Sequence, residues 1–429
     1  MARGGIIVVW VDERGGGRAI YAQRIDRDGI IKWTTNGVAV TNPLTDLYTD
    51  PCIVSDDAGG AIIAWADRRN SMDGVYAQRI RKNGSAAWAA NGIAVSPNIG
   101  VRYSPRMIRD GSGGVILTWR GFRNSHYNIY AQGITAAGGI KWGTATAPVP
   151  VAVGIGYKEE CELTTDGQGG AIITWYDQRN GKFDIFAQRV RSTGAVAWTL
   201  NGVPVRVAAG DAENPRIASD GMGGAVIAWG DNRTGSAGNL QYDVYAQRVN
   251  GAGQAQWAAN GTPVAVAPGV QWKTRIASAD AGSVVIAWTD KRIPYQVEAY
   301  AQKLTPQGAP VWAANGIMVG PNLGNADEDL EPYELACLDD GDTIFAWKTA
   351  LMPRLYIQQL NHQGIKRHAD AGKYIDRAST TVPPDLIRDE YNGVTAVWER
   401  TTTTERQIVA RQITPPQIPA AAADWELFW

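Results

Sequence analysis

The sequence predicts an all-β chain folded as an eight-bladed β-propeller of four-stranded antiparallel blades. Three observations lead there. One sentence of residues recurs through the chain with a period of about 50 residues. Each copy reads as short strands joined by turns. No stretch carries a long helical period.

The period is set by tryptophan. The Trp that closes the first apolar run recurs at Trp10, Trp65, Trp119, Trp175, Trp229, Trp288, Trp347 and Trp398. The spacings run from 51 to 59 residues. A second Trp follows at Trp33, Trp88, Trp142, Trp198, Trp257 and Trp312. Fourteen of the 17 Trp thus belong to the repeat, leaving Trp272, Trp425 and Trp429 outside it.

Each repeat reads as strands a to d. Strand a is illustrated by Pro215 to Ser219. The turn Asp220-Gly221-Met222-Gly223-Gly224 follows, with glycines for the positive φ of a tight hairpin. Strand b, Ala225 to Trp229, is apolar at almost every position, as expected of a strand buried on both faces. Strand c is the Tyr-Ala-Gln-Arg run, here Tyr245 to Arg248. Strand d follows the second Trp and an Asn-Gly pair such as Asn260-Gly261. Stacked sheets of this kind, stepping through a variable d-to-a connection, describe a propeller.

The copies begin near residues 4, 59, 113, 169, 223, 282, 341 and 393, so residues 1–413 form one propeller and 414–429 a tail. Eight b strands and eight c strands are legible, against seven a and seven d strands. The first blade lacks strand a and the last lacks strand d. The tail segment Asp424 to Trp429, carried by the extended chain around Pro415, Pro416 and Pro419, is expected to fill either gap and close the ring from the two chain ends.

Composition narrows the function. With 41 basic and 42 acidic residues, net charge is −1. No basic stripe is present, which argues against nucleic acid. No run of 18 apolar residues suggests a membrane span. The 3 Cys, at positions 52, 161 and 337, lie in or beside a strands and read as small buried residues. Met1 stands a few residues before a strand, so a longer native chain with an export signal outside this sequence is expected.

The phrases Asp220 to Trp229, Asp184 to Val190, and Trp198-Thr199-Leu200-Asn201-Gly202-Val203-Pro204-Val205 resemble the repeats of large secreted bacterial surface proteins, many carrying a C-terminal sorting domain. The resemblance covers about residues 4 to 413. It implies export to the cell surface or beyond, and assigns no catalytic residue. The Trp425-Glu426-Leu427-Phe428 tail is similar to the lead-in to such sorting domains.

Repeated motifs read as scaffold. Trp-x-Asp-x-Arg closes strand b at Asp12/Arg14, Asp67/Arg69, Asp177/Arg179, Asp231/Arg233 and Asp290/Arg292. It is expected to hold the turn through a bidentate Arg pairing across blades. The competing reading is a ring of sugar sites in which each Trp offers a stacking face. The strand-c Gln, as at Gln247, is expected to bond neighbouring backbone.

Departures from the repeat mark candidate function. Trp272 lies in a d-to-a connection, Tyr295 in a b-to-c loop, and Met352 and Arg354 in the next one. All belong to the same face of the propeller and suit ligand contact. The run Asp327-Glu328-Asp329-Leu330-Glu331 clusters carboxylates, which makes Asp327, Asp329 and Glu331 candidates for Ca2+; no other cofactor is indicated. No His has metal-ligand spacing, and no nucleophile elbow or P-loop is present. The sequence therefore favours a non-catalytic binding propeller for a glycan or a surface protein, monomeric within a larger assembly. The alternatives are a carbohydrate-active enzyme (a glycoside hydrolase or polysaccharide lyase) and a purely structural surface module.

Overall fold

The computed structural model describes residues 5–26, 28–43, 51–69, 73–97, 100, 105–235, 241–320, 333–349, 354–377, 384–388, 393–401, 406–413 and 424–427. It is an eight-bladed β-propeller. Seven sheets have four antiparallel strands in the order a-b-c-d, and the first has three. Blades are numbered here by their first Trp. Blade five, for example, comprises Ala212–Ser219, Ala225–Asp231, Asp243–Val249 and Thr262–Ala265. The a strands contact one another around a central channel. No helix among the described residues is long and apolar enough to cross a membrane.

The tail fills one of the two gaps. Asp424–Leu427 pairs with Arg406–Ile413 as strand d of blade eight. Blade one keeps only Ile6–Asp12, Ala19–Ile25 and Val38–Ala39 among the described residues. The ring closes by packing: Ile6, Val8 and Trp10 of blade one meet Ala410, Val397 and Ile408 of blade eight.

In most repeats Trp residues packed against glycines hold the stack. The first Trp is buried at the heart of its own blade, and in blades one, two, four, five and six its ring tip meets the Asn-Gly turn. A Cβ on Gly202, at φ +89°, would lie 2.5 Å from the Trp175 ring. The second Trp reaches into the next blade. Trp142 Nε1 donates to the Ser192 carbonyl at 2.9 Å, and Gly194 sits so close that a Cβ there would lie 2.6 Å from the ring. Trp33 with Gly84 and Trp257 with Gly308 repeat the arrangement. Only glycine combines the positive φ with the missing side chain.

The Trp-x-Asp-x-Arg motif serves the same frame. Trp229 Nε1 donates to Asp231 at 2.8 Å. Arg233 grips the same carboxylate through two nitrogens and donates to the Asn260 carbonyl at 2.6 Å. Its guanidinium lies 3.8 Å over the Tyr245 ring. All of these partners belong to blade five, so the expectation of an Arg pairing across blades is corrected.

The correction holds for every copy of the motif. Arg14 bonds Asp12 and donates to the Asn36 carbonyl at 2.8 Å, both in blade one. Arg69 bonds Asp67 and the Asn91 carbonyl, at 2.9 Å, in blade two. Arg179 bonds Asp177 and the Asn201 carbonyl, at 2.9 Å, in blade four. Arg292 bonds Asp290 and the Asn315 carbonyl, at 2.8 Å, in blade six. Each guanidinium also covers the ring at the head of its own strand c: Tyr21, Tyr76, Phe186 and Tyr300 in turn. The reason is reach. An Arg two residues past its Asp folds back on that carboxylate, and the Asn-Gly turn of its own strand d is the nearest free carbonyl. The motif thus ties strands b, c and d of one blade. Its two halves also differ in depth: Asp67, Asp177, Asp231 and Asp290 are buried, whereas Arg14 is exposed and Arg69, Arg179, Arg233 and Arg292 are half-buried.

Where blades three and eight lack the Asp, the buried Trp119 and Trp398 indole nitrogens have no hydrogen-bond partner among the described residues. The cross-blade arginine is instead the one after the strand-c Gln. Arg189 bonds Asp166 at 2.9 Å and reaches the Gly251 carbonyl of the next blade at 3.0 Å. The Gln itself bonds backbone: Gln247 Nε2 donates to Ala258, and its Oε1 accepts from the Trp257 amide. Asp166, at the head of the glycine turn, accepts from the amides of Gln168 and Gly170, both at 2.8 Å.

Three consecutive d-to-a connections each fold around one buried polar side chain. Before blade four it is Lys158, whose ammonium donates to the carbonyls of Gly154, Ile155 and Gly156 at 2.9, 3.1 and 3.2 Å. Before blade five it is Arg206, fully buried between Asp184 and Asp231. Before blade six it is Gln271, which donates to the Pro268 carbonyl at 3.1 Å. A buried loop backbone requires such partners.

Candidate functional site

The mouth of the central channel is built by an irregularity shared by three consecutive blades. Strand a has eight residues in blade four (Lys158–Thr165), blade five (Ala212–Ser219) and blade six (Gln271–Ser278). It has four in blades two, three and eight. Each long strand carries a bulge, after Glu159, Glu213 and Trp272 respectively. The residue in the bulge takes positive φ: Glu160 at 41°, Asn214 at 54° and Lys273 at 54°. Bulges re-aim side chains. Here they raise three strands to the face bearing the b-to-c and d-to-a loops and set Glu159, Glu213 and Trp272 at equivalent places on the rim.

These positions form one polar and aromatic cluster. Arg120 of blade three pairs with Glu159. Arg216 approaches Glu160 and Glu162 at 3.6 and 3.7 Å. With its amide nitrogen turned toward Glu160, Asn214 donates at 2.8 Å. Burial pushes the Glu213 carboxyl up, and the charges of Asp211, Glu160 and Glu159 add to this. A hydrogen bond from Tyr242 pulls the other way. Burial, with Glu160, Glu159 and Glu213, pushes the Tyr176 hydroxyl up, and burial, with Glu213, Asp211 and Asp231, does the same to Tyr242. Opposite Glu213 stands Gly230, where a Cβ would lie 3.4 Å from the Tyr242 ring and 3.9 Å from the Trp272 Cβ.

Beyond Arg120 the rim continues as an aromatic ridge. The Arg120 guanidinium lies 4.3 Å over Tyr127, whose ring meets Phe122 at 5.0 Å and Tyr157 at 5.9 Å. Phe122 is 47% and Tyr157 56% exposed. Exposed rings of this size beside a charged cleft are what a ligand surface uses.

Deeper in the channel, one residue of each strand a stands across from the position before the first Trp. From blade two onward these are Cys52, Arg106, Glu162, Arg216, Arg275, Glu334 and Asp385. Arg106 pairs with Glu162 at 3.0 Å and Arg275 with Glu334 at 3.1 Å. Asp385 is open to channel water yet surrounded by protein. That enclosure, reinforced by Glu334 and only partly offset by Arg275, pushes its carboxyl up to about 6.

The residues singled out from sequence fall in different places. Trp272 is not in a loop; it lies within strand a of blade six, paired with Thr289, because the bulge extends that strand outward. It is half-buried, with the Lys291 ammonium 4.8 Å over its ring. Tyr295 is in the b-to-c loop of blade six, 94% exposed and at φ 64°. Arg354 opens strand c of blade seven and is exposed. Met352, Asp327, Asp329 and Glu331 lie outside the described residues. Among the described residues no group of three or more His, Cys, Asp or Glu is placed to hold a metal ion. The first Trp of blades two to seven is at most 1% exposed, so these rings present no stacking face to a sugar. The sequence reading missed Glu159, Glu160, Glu213 and the Phe122–Tyr127–Tyr157 ridge. The one signal present was the acidic and aromatic content of the two connections before blades four and five.

No known family profile matches the chain, and no curated protein matches it. Among solved structures it is similar to a PL25 ulvan lyase bound to -[GlcA(1-4)Rha3S]-, at 10% identity and TM-score 0.46 over 90% of this chain and 94% of that one. It is also similar to the GH93 α-L-arabinofuranosidase of Fusarium graminearum with arabinobiose, at 12% identity and TM-score 0.40 over 86% and 93%. A third is the Penicillium chrysogenum α-L-arabinanase complexed with arabinobiose, at 12% and 0.38 over 75% and 94%. At this distance no residue role passes from these proteins to this chain.

Proposed function

We propose that this propeller engages an extended glycan across the channel mouth over blades three to six. The observation that carries the reading is continuity. An exposed aromatic ridge, Phe122–Tyr127–Tyr157, leads through the Arg120–Glu159 pair to a rim of carboxylates, tyrosines and Trp272. Rings stack on the apolar faces of sugars, while carboxylates and guanidinium groups bond their hydroxyls. The rigid frame below supplies the preorganisation that such weak contacts need. The resemblance of the repeats to secreted bacterial surface proteins supports a place outside the cell.

A second reading, cleavage of the held chain, is favoured by one feature. Glu213 has its carboxyl pushed up while neighbouring Glu159 is held by Arg120. Two carboxyls in unlike environments are the arrangement that acid–base chemistry on sugars uses. Glu213 then donates the proton, and Tyr242 orients it.

The test is binding to a panel of neutral and uronate-containing polysaccharides. Wild-type protein is expected to bind at least one class. Trp272→Ala and Tyr157→Ala are expected to weaken binding at least 5-fold, on the order of 1 kcal/mol, with an unchanged melting temperature. Binding to no glycan, or binding indifferent to both substitutions, overturns the proposal. Release of new reducing ends or unsaturated products, lost in Glu213→Gln with binding retained, supports cleavage; absence of products from wild type removes it.

A further inference from the structure

Blade one is the only one of the eight sheets with three strands, so the inner edge of Ile6–Asp12 carries no strand a among the described residues. The burial pattern records this. Ile7, Val9 and Val11 are half-buried, whereas their counterparts Ile62, Ala64 and Ala66 in blade two are buried. In chain order the open edge stands between strand a of blade eight (Asp385–Arg388) and strand a of blade two (Cys52–Ser55).

The channel ring specifies what belongs there. At three of its steps unlike charges meet, Arg106 with Glu162, Glu162 with Arg216, and Arg275 with Glu334, while Arg216 and Arg275 stand side by side. At the end of the series Glu334 is followed by a second acid, Asp385, and the next ring position belongs to blade one. Strand a in blades five and six reads Arg-Ile-Ala-Ser, at residues 216–219 and 275–278. In both the Arg stands opposite the residue before the first Trp, and the Ile opposite the residue before that. Laid along blade one, the same pattern puts Arg opposite Val9 and beside Asp385, and Ile opposite Val8.

We propose that the inner edge of Ile6–Asp12 is a strand-accepting site. Its occupant is an extended polypeptide segment of the repeat's own strand-a type, with an arginine in ring register beside Asp385. Main-chain pairing supplies affinity, as in other cases of strand addition to a sheet edge. The arginine sets the register and gives Asp385, which has the acid Glu334 on its other side, an opposite charge. The site is separate from the rim over blades three to six, so it stands or falls independently of the glycan reading.

The probe is a labelled peptide with the sequence of residues 213–220, Glu-Asn-Pro-Arg-Ile-Ala-Ser-Asp. Titration by fluorescence anisotropy is expected to show saturable one-to-one binding, with a melting temperature that rises with peptide concentration. Replacing the peptide arginine by glutamate is expected to weaken binding at least 10-fold. Asp385→Lys in the protein reverses that preference, and the reversal separates a specific register from general stickiness. Peptide binding is also expected to slow amide exchange in Ile6–Asp12. Two results overturn the proposal: a peptide affinity indifferent to the charge swap, or no binding while Ile6–Asp12 already exchanges as slowly as Ala171–Asp177 of blade four.

Discussion

Removing the Arg206 guanidinium gives the sharpest test of how the d-to-a connections are held. Arg206 is fully buried. Its Nε and Nη2 meet Asp231 at 3.0 and 3.1 Å, and its Nη1 meets Asp184 at 2.9 Å and the Gly210 carbonyl at 2.9 Å. In Arg206→Met the stem volume is kept and the charge is lost. Asp231 retains Arg233 and the Trp229 indole. Asp184 retains the neutral Asn180 amide at 3.0 Å, while being as buried as before. Breaking a buried pair from one side costs about 3–5 kcal/mol. With unfolding entropy near ~2.1 cal/mol/K per residue, the whole ring carries roughly 0.9 kcal/mol/K, so cooperative melting should drop by about 3–6 °C. Arg206→Lys keeps a cation in the manner of Lys158 and should lose less than half as much. Calorimetry of the three proteins reads both. A melting point for Arg206→Met within 1 °C of wild type, on the order of 1 kcal/mol or less by the same scaling, refutes the argument.

Two further outcomes follow from the geometry. Gly202→Ala puts a Cβ 2.5 Å from the Trp175 ring at a φ of +89°, and should cost about 2–4 kcal/mol in chemical denaturation, from strain and overpacking together; a loss under about 0.5 kcal/mol, the range of neutral surface changes, would show that the turn gives way. The Asp385 carboxyl, pushed up to about 6 from an unfolded value near ~3.9, keeps its proton longer in the native state than in the unfolded chain. Native stability contributed by this group is thus present at low pH and lost as pH rises through that window, so Asp385→Asn should gain melting temperature relative to wild type between about pH 4 and 7, and a constant difference across that range would contradict it.

The parts legible in sequence are those that most copies repeat. Trp175 recurs in every blade, and Gly202 and Asp177 in most of them, because the same contacts are made again, so the blade count and strand order could be read directly. The partner of a repeated residue was harder to read than its presence. Arg179 recurs with Asp177, but a period alone does not say whether the guanidinium turns inward to its own blade or outward to the next. The rim was hidden for a different reason. A bulge at Glu160 or Lys273 leaves no mark in composition, since neither residue type advertises positive φ. The eight-residue a strands consequently read as loop followed by a short strand, and Trp272 read as a loop residue. Arg206 and Lys158 looked like ordinary surface charges, because what buries them is a neighbouring connection folding over them. Phe122, Tyr127 and Tyr157 come from three separate elements, and only the closed fold sets their rings side by side.

The pairing of each second Trp with a glycine of the following blade has a consequence for how such a chain changes length. Each unit from blade two to blade six carries a knob for its successor and a socket for its predecessor, as Trp142 does toward Gly194 and Gly84 does toward Trp33. A unit copied whole by duplication arrives with both halves of its joints already matched, and slots between any two existing members. Substitution in one half alone spoils a joint whose other half lies some 50 residues away. Growth by whole copies is therefore the easy route for this architecture. Drift at the joints is the hard one, and diversity collects in the connections that no joint constrains.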